Sequence, residues 1–130
     1  MNLKPIAAKY GSDKCAWHSY GRIYDQLFYG KTVRKMLEIG IGYKGLLGEK
    51  YQNGAGLRMW AEYFPEAEIY GLDLREDALV NEGRIHSYQC DQGSIKSLRA
   101  AREAIGTGFD LIVDDGSHQP EHQILSALVF

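Results

Sequence analysis

The feature that most limits this fold is the way its apolar runs end. Four short runs, in MLEIGIG (36–42), AEIYGLDL (67–74), RIHSYQC (84–90) and FDLIVDD (109–115), each lead straight into glycine or a carboxylate. Runs of this length and apolarity suit strands buried on both faces. Polar or glycine-rich chain directly after a strand suits turns that face a ligand. The spacing predicts strands at 36–41, 68–74, 84–90 and 109–114, with helical periodicity between them. Ile23, Leu27 and Tyr24 suggest a short helix over 18–29. Leu57, Trp60, Ala61 and Phe64 recur at i, i+3, i+4 and i+7, stopping before Pro65. Ile95, Leu98 and Ile105 share a face closed by Gly106. Pro120 opens a last helix whose Ile124, Leu125 and Leu128 share a face. The stretch YKGLLGEKYQNGAG (43–56) reads as loop. Such alternation implies an α/β fold with parallel strands joined by right-handed crossovers.

With 130 residues the chain has room for one domain, 1–130, with 1–30 as an N-terminal helical or lid segment. At 45% hydrophobic and 25% charged it has the composition of a globular protein with a real core. A net charge of -2 and the lack of a basic stripe argue against nucleic acid as a partner. No apolar run is long enough to span a membrane, and the N-terminus lacks a signal-like segment, so a cytoplasmic location is the expectation. Cys15 and Cys90 match no zinc spacing and read as reduced structural thiols. The fourth strand reads as fully buried although only one helix follows it. Further strands are therefore expected beyond it, with pairing of a bare fourth strand into a homo-oligomer as the other outcome.

In open parallel sheets ligands bind beyond the carboxyl ends of the strands. The first strand end offers Glu38, Gly40 and Gly42, the second Asp73, the third Asp91 and Gln92, the fourth Asp114, Asp115 and His118. Gly40, Gly42 and Gly45 fit the spacing G-x-G-x-x-G. However, no helix opens directly on them, so a turn that merely needs glycine competes with a dinucleotide loop. Asp73 suits ribose hydroxyls or a helix cap, and Asp91 an adenine amino group or a cap. Asp114 and Asp115 point to opposite faces while the strand persists. Gly116 permits the turn that would bring both to one hard cation such as Mg²⁺, and an Asx turn accounts for one of them. His118 suits a general base or a cap. His122 reads as a surface residue of the last helix.

The strings YGSDK, HSYGRIYDQLF, MLEIGIG, LRMWAEYFPEAEIYGLDL, DQGS and FDLIVDDGSH, in that order, resemble the class I S-adenosylmethionine-dependent methyltransferases. Within them the chain resembles the macrolide-sugar O-methyltransferases of the mycinamicin and demethylmacrocin type, from about Tyr10 to Phe130. The resemblance implies a Rossmann-like sheet of seven strands, of which this chain supplies the first four in the order 3-2-1-4, the C-terminal strands being missing. It implies S-adenosylmethionine held by Glu38, Gly40, Gly42, Asp73, Asp91 and Gln92. It further implies Mg²⁺ or a similar cation at Asp114 and Asp115, His118 as the base, and a small-molecule hydroxyl as methyl acceptor. Asp13, Lys14, His18 and Tyr20 match a lid segment near cofactor and acceptor. A nucleotide-linked oxidoreductase and a non-catalytic ligand-binding fragment are the rival readings.

Overall fold

The computed structural model describes residues 2–15 and 19–130. Four parallel strands form the sheet: β1 (Lys35–Ile39), β2 (Glu68–Asp73), β3 (Ile85–Gln89) and β4 (Leu111–Asp114), in spatial order β3-β2-β1-β4. The sequence-derived order 3-2-1-4 is the observed one. In β1 consecutive side chains alternate between faces, sending Met36 into one core and Leu37 and Ile39 into the other.

The first core lies under α1 (Leu3–Tyr10), α2 (Tyr20–Leu27) and α4 (Ala55–Tyr63). Leu3 and Ala7 of α1 are fully buried, as are Leu57, Met59 and Trp60 of α4. Trp60 packs edge-on against Tyr24 at 5.0 Å between ring centres and stacks with Phe64 at 5.9 Å. Burial of each large side chain contributes about 1.5–3 kcal/mol. Asp25 ties the layer together, accepting hydrogen bonds from the Leu3 amide at 3.0 Å and the Tyr63 hydroxyl at 2.8 Å. The second core lies under α5 (Ile95–Ile105) and α6 (Pro120–Val129). Ser94 caps α5 by accepting from the Ser97 amide, and Gly106 ends it at φ 76°. Cys15 and Cys90 are free thiols, and burial raises the pKa of both.

Five expectations need correction. The 43–56 stretch is not all loop, since Lys44–Leu47 form a single helical turn, α3. Ile23 and Leu27 are exposed, because α2 turns Tyr24 and Phe28 to the core and lets Gly21 pack close to the Cys15 sulfur. In α6, Ile124 and Leu128 are exposed while Ser126 and Val129 are buried. The helix is held in that rotation by a hydrogen bond from Gln92 to Ser126 Oγ. Ile95 is likewise more exposed than Leu98 and Ile105. Finally, β4 is not fully buried. Among the described residues it lies at the edge of the four-stranded sheet, paired with β1, and it leaves Ile112 exposed. Among the described residues no helix is long and apolar enough to cross a membrane.

Candidate functional site

The ends of all four strands meet at one edge of the sheet. There they surround a cleft of about 420 Å³ whose lining includes Gly40, Gly42, Asp73, Asp91, Gln92 and Asp115. Gly40 is what allows the walls to close. It has φ 86°, and a Cβ there would lie 2.3 Å from the Asp115 carbonyl oxygen. Only glycine combines that backbone conformation with so close an approach.

The loop after β1 is organised by the acid at the end of β2. Asp73 Oδ2 accepts from the amides of Ile41 at 2.9 Å and Gly42 at 3.3 Å, while Oδ1 accepts from the Arg75 amide at 2.9 Å. A carboxylate thus occupies the two loop N–H groups that would otherwise cradle a pyrophosphate. The chain also makes only the single turn α3 before α4 begins at Ala55. Both facts argue against a dinucleotide loop despite the glycine spacing.

Asp91 sits at the cleft lip. Its Oδ1 accepts from the Gly93 amide at 2.9 Å, forming an Asx turn, and the cap of α5 is Ser94 instead. Gln92, 8% exposed, is a structural hub. Its Nε2 donates to Asp114 Oδ2 at 2.6 Å and Ser126 Oγ at 3.0 Å, and its Oε1 accepts from the Ser117 amide at 3.1 Å. Both amide hydrogens are therefore engaged within the protein.

Glu38 lies behind the cleft and is 1% exposed. Alternation along β1 aims it at the first core, where it needs a counter-charge. Lys14 supplies one from the 3₁₀ turn Asp13–Cys15, its ammonium 2.8 Å from Glu38 Oε1 and 2.8 Å from Asp115 Oδ2. Burial pushes the Glu38 carboxyl pKa up, against the opposing pull of Lys14. For Lys14, burial acts downward but is outweighed by the charges of Glu38 and Asp115, so the amine stays firmly protonated. Glu38 Oε2 and the Trp60 indole nitrogen are buried with no hydrogen-bond partner among the described residues. Gly56 makes room for this carboxylate: a Cβ there would stand 3.0 Å from Oε2.

A second recess, of about 590 Å³, opens on the other side of Asp115. It is lined by Asp13, Lys14, Tyr20, Tyr24, Asp114 and His118 among others, so the structure brings the sequence-derived lid residues to the acidic pair. His18 falls outside the described residues. Asp114 and Asp115 face different partners: Asp114 takes hydrogen bonds from Gln92 and the Gly116 amide, and Asp115 is held by Lys14. Among the described residues, no group of three or more His, Cys, Asp or Glu could hold a metal ion. His118 Nε2 lies 3.7 Å from Asp115 Oδ1, and its side chain is 72% exposed. Its φ of 59° is positive, the one such value outside glycine among the described residues. Strain of that kind at a cleft edge is a pointer to function.

Sequence reading placed His122 on the surface of the last helix and gave it no role. It lines the cleft, and its Nδ1 is 2.8 Å from Ser117 Oγ. The available signal was its place in the first turn after Pro120, facing the loop that carries DDGSH.

No protein-family model matches the chain. Among curated proteins it is 35% identical over 122 residues to the 8-demethyl-8-alpha-L-rhamnosyl tetracenomycin-C 2'-O-methyltransferase of Streptomyces olivaceus, covering 94% of this chain and 32% of that protein. It is 35% identical over 126 residues to the mycinamicin VI 2''-O-methyltransferase of Micromonospora griseorubida, covering 93% and 30%. Its relatives are O-methyltransferases. Among solved structures, the MycE methyltransferase of the mycinamycin biosynthetic pathway, in complex with Mg, SAH and mycinamycin VI, superposes with a TM-score of 0.81 at 33% identity. That match covers 99% of this chain and 33% of MycE. A second MycE crystal form with Mg and SAH gives 0.82 at 34% identity. The chain thus spans about a third of the length of the relatives it matches.

Proposed function

We propose that this chain forms the cofactor-binding part of an S-adenosylmethionine-dependent O-methyltransferase whose acceptor is a hydroxyl of a sugar or other natural product. The observation that carries the reading is the cleft at the four strand ends. Gly40 closes against Asp115 there, and Asp73 ties down the loop after β1. The likeness to MycE, solved with SAH, supports the same cofactor here. The cleft fits an adenosyl group. It has apolar wall residues in Leu72, Leu74 and Cys90, an acid at its lip in Asp91, and no free amide cradle for a pyrophosphate.

Bound, the cofactor supplies an electrophilic methyl group on a sulfonium. The chain's own residues hold the cofactor and receive the acceptor in the recess beside Asp115. His118 takes the hydroxyl proton on Nε2 as the oxygen gains the methyl group, a contribution on the order of 10²–10⁴-fold. Asp115 Oδ1 lies 3.7 Å from that nitrogen. A divalent cation enters the reading through the Mg-bound MycE complexes, and Asp115 is the carboxylate best placed to meet one. Lys14 holds that carboxylate, and among the described residues no group of three or more His, Cys, Asp or Glu gathers around it.

Titration calorimetry with S-adenosylhomocysteine and with NAD tests the cofactor assignment. Binding of the first alone is expected, and binding of NAD alone would reverse it. In a preparation that turns over, His118→Ala should abolish most methyl transfer while leaving S-adenosylhomocysteine affinity within about threefold. Undiminished turnover would remove His118 from the role of base.

A further inference from the structure

Asp115 stands at the wall between the two compartments. Among the described residues it alone lines both the cleft and the recess beyond it. Its backbone closes against Gly40, and its carboxylate turns to the Lys14 ammonium. A methyl group passing from a cofactor in the cleft to an acceptor in the recess must cross here. The charge at this wall is shared by three groups. Glu38 Oε1 and Asp115 Oδ2 each lie 2.8 Å from the same Lys14 Nζ, so two carboxylates share one ammonium and a negative charge is left over. The other charged side chains of the cleft lining do not offset it. Asp73 and Asp91 have the same sign, and the Arg75 guanidinium is engaged by Asp77 at 2.8 and 2.6 Å.

We propose that the Glu38–Lys14–Asp115 cluster selects by charge, making the cleft prefer the cationic, methyl-bearing cofactor over the neutral thioether that it becomes. In the transfer a carbon–sulfur bond breaks and a carbon–oxygen bond forms. Sulfur keeps the bonding pair and loses its positive charge, while the hydroxyl proton goes to His118 Nε2. Cofactor and product therefore differ at this wall by one methyl group and one unit of charge. A surplus negative charge beside the sulfur attracts the first and has no hold on the second. Across effective dielectrics of about 80 to 20, a unit charge about 5 Å from another changes affinity by roughly fourfold to a few hundredfold. The sulfonium's loss of hydration opposes this and sets the expectation near the lower end, at about tenfold. Glu38 does not line the cleft and acts through the shared ammonium: it takes up the Lys14 charge and leaves that of Asp115 uncompensated. The inference rests on the cofactor reading above and adds a selection between the two states of that cofactor.

The test is calorimetry of the chain with a chelator present, so that only its own charges act. The ligands are S-adenosylhomocysteine, S-adenosylmethionine and sinefungin, whose protonated amine stands where the sulfonium does. The native chain should bind both cationic ligands about tenfold more tightly than S-adenosylhomocysteine at about 0.02 M salt, and the preference should shrink to about threefold or less at about 0.5 M. Glu38→Gln and Asp115→Asn each leave the cluster neutral and should cut the low-salt preference to about threefold or less. Lys14→Met/Glu38→Gln leaves the Asp115 carboxylate alone and should bring the preference back toward the native value. A count of charge gives this order, whereas a loss of shape would weaken all three ligands alike. Asp115→Asn alters a half-exposed side chain and keeps the test open should Glu38→Gln fail to fold. A native chain that binds S-adenosylhomocysteine as tightly as the cationic ligands, or a folded neutral-cluster variant that keeps the native preference, would overturn the proposal and leave the cofactor reading standing. If no form of the chain binds any of the three, the cofactor reading falls and takes this one with it.

Discussion

Replacing Lys14 by Met gives the sharpest test of how the site is built. The substitution keeps an unbranched stem of similar bulk, so packing around it is largely retained. It removes the ammonium that lies 2.8 Å from Glu38 Oε1 and 2.8 Å from Asp115 Oδ2. The two carboxylates will respond differently. Asp115 is 42% exposed and its half of the contact is screened by water, so its loss costs no more than about 1 kcal/mol. Glu38 is 1% exposed and would be left as a buried charge without a partner, which costs about 3–5 kcal/mol. A domain of this length has a total stability on the order of 10 kcal/mol, so the variant should fold but melt roughly 10–20 °C lower. Urea unfolding followed by tryptophan fluorescence measures the loss, since Trp60 is buried beside Glu38. Two signatures separate a charge effect from a packing effect. The double variant Lys14→Met/Glu38→Gln should regain most of the lost stability. The single variant should also be less impaired at about pH 5 than at about pH 8. Burial already raises the Glu38 pKa, and a carboxyl so raised contributes its stability below its unfolded value and loses it as pH rises through the folded one. If Lys14→Met costs less than about 1 kcal/mol, or the double variant is no more stable than the single, the buried-charge account is wrong.

Gly40→Ala should destabilise far more than Gly30→Ala, by a margin of about 2 kcal/mol or more in urea unfolding. Both residues have positive φ, but a Cβ at Gly40 meets the Asp115 backbone at 2.3 Å whereas one at Gly30 meets nothing within 4 Å. Equal losses would show that the strand ends are not held together as described. Acid should also unfold the protein through a specific set of carboxylates. Asp110 is held below the usual range by the amides of Arg34 and Lys35, Glu62 by Lys9, Glu82 by Arg58 and Asp77 by Arg75. Folded values depressed in this way contribute stability above the unfolded values near ~4 and lose it as pH falls through the folded ones. The thermal midpoint should therefore drop on acidification below about pH 4, and Asp110→Asn should flatten that limb. A midpoint unchanged down to about pH 2.5 would refute the assignment.

The strands were legible because each is a short apolar run closed by glycine or an acid, and their order followed from the resemblance those strings carry. Helix faces were less legible. In α2 both Ile23/Leu27 and Tyr24/Phe28 keep helical spacing, and the choice is made by aromatic packing against Trp60, some 36 residues away in sequence. In α6 the apolar pattern of Ile124 and Leu128 was outweighed by polar ties at Ser126. The candidate site was legible as a set of strand ends but not as a set of partnerships. Glu38 is buried because of Lys14, which arrives from a turn 24 residues earlier, and no local pattern announces such a pair. Gln92 likewise looks like a cleft contact in sequence, yet its amide hydrogens are both used inside the fold.

That amide has a mechanical consequence. Asp114 belongs to the recess on one side of Asp115, and Ser117, with His122, to the cleft on the other. A single neutral group clamps both and ties α6 to them through Ser126. Gln92 carries no titratable charge, so its own side of the clamp does not change protonation state with pH. The two compartments therefore cannot drift apart independently. A sequence change that reshapes the wall at Asp114 will be transmitted to the cleft wall at Ser117, and variants selected for a new acceptor should accumulate second changes around Gln92.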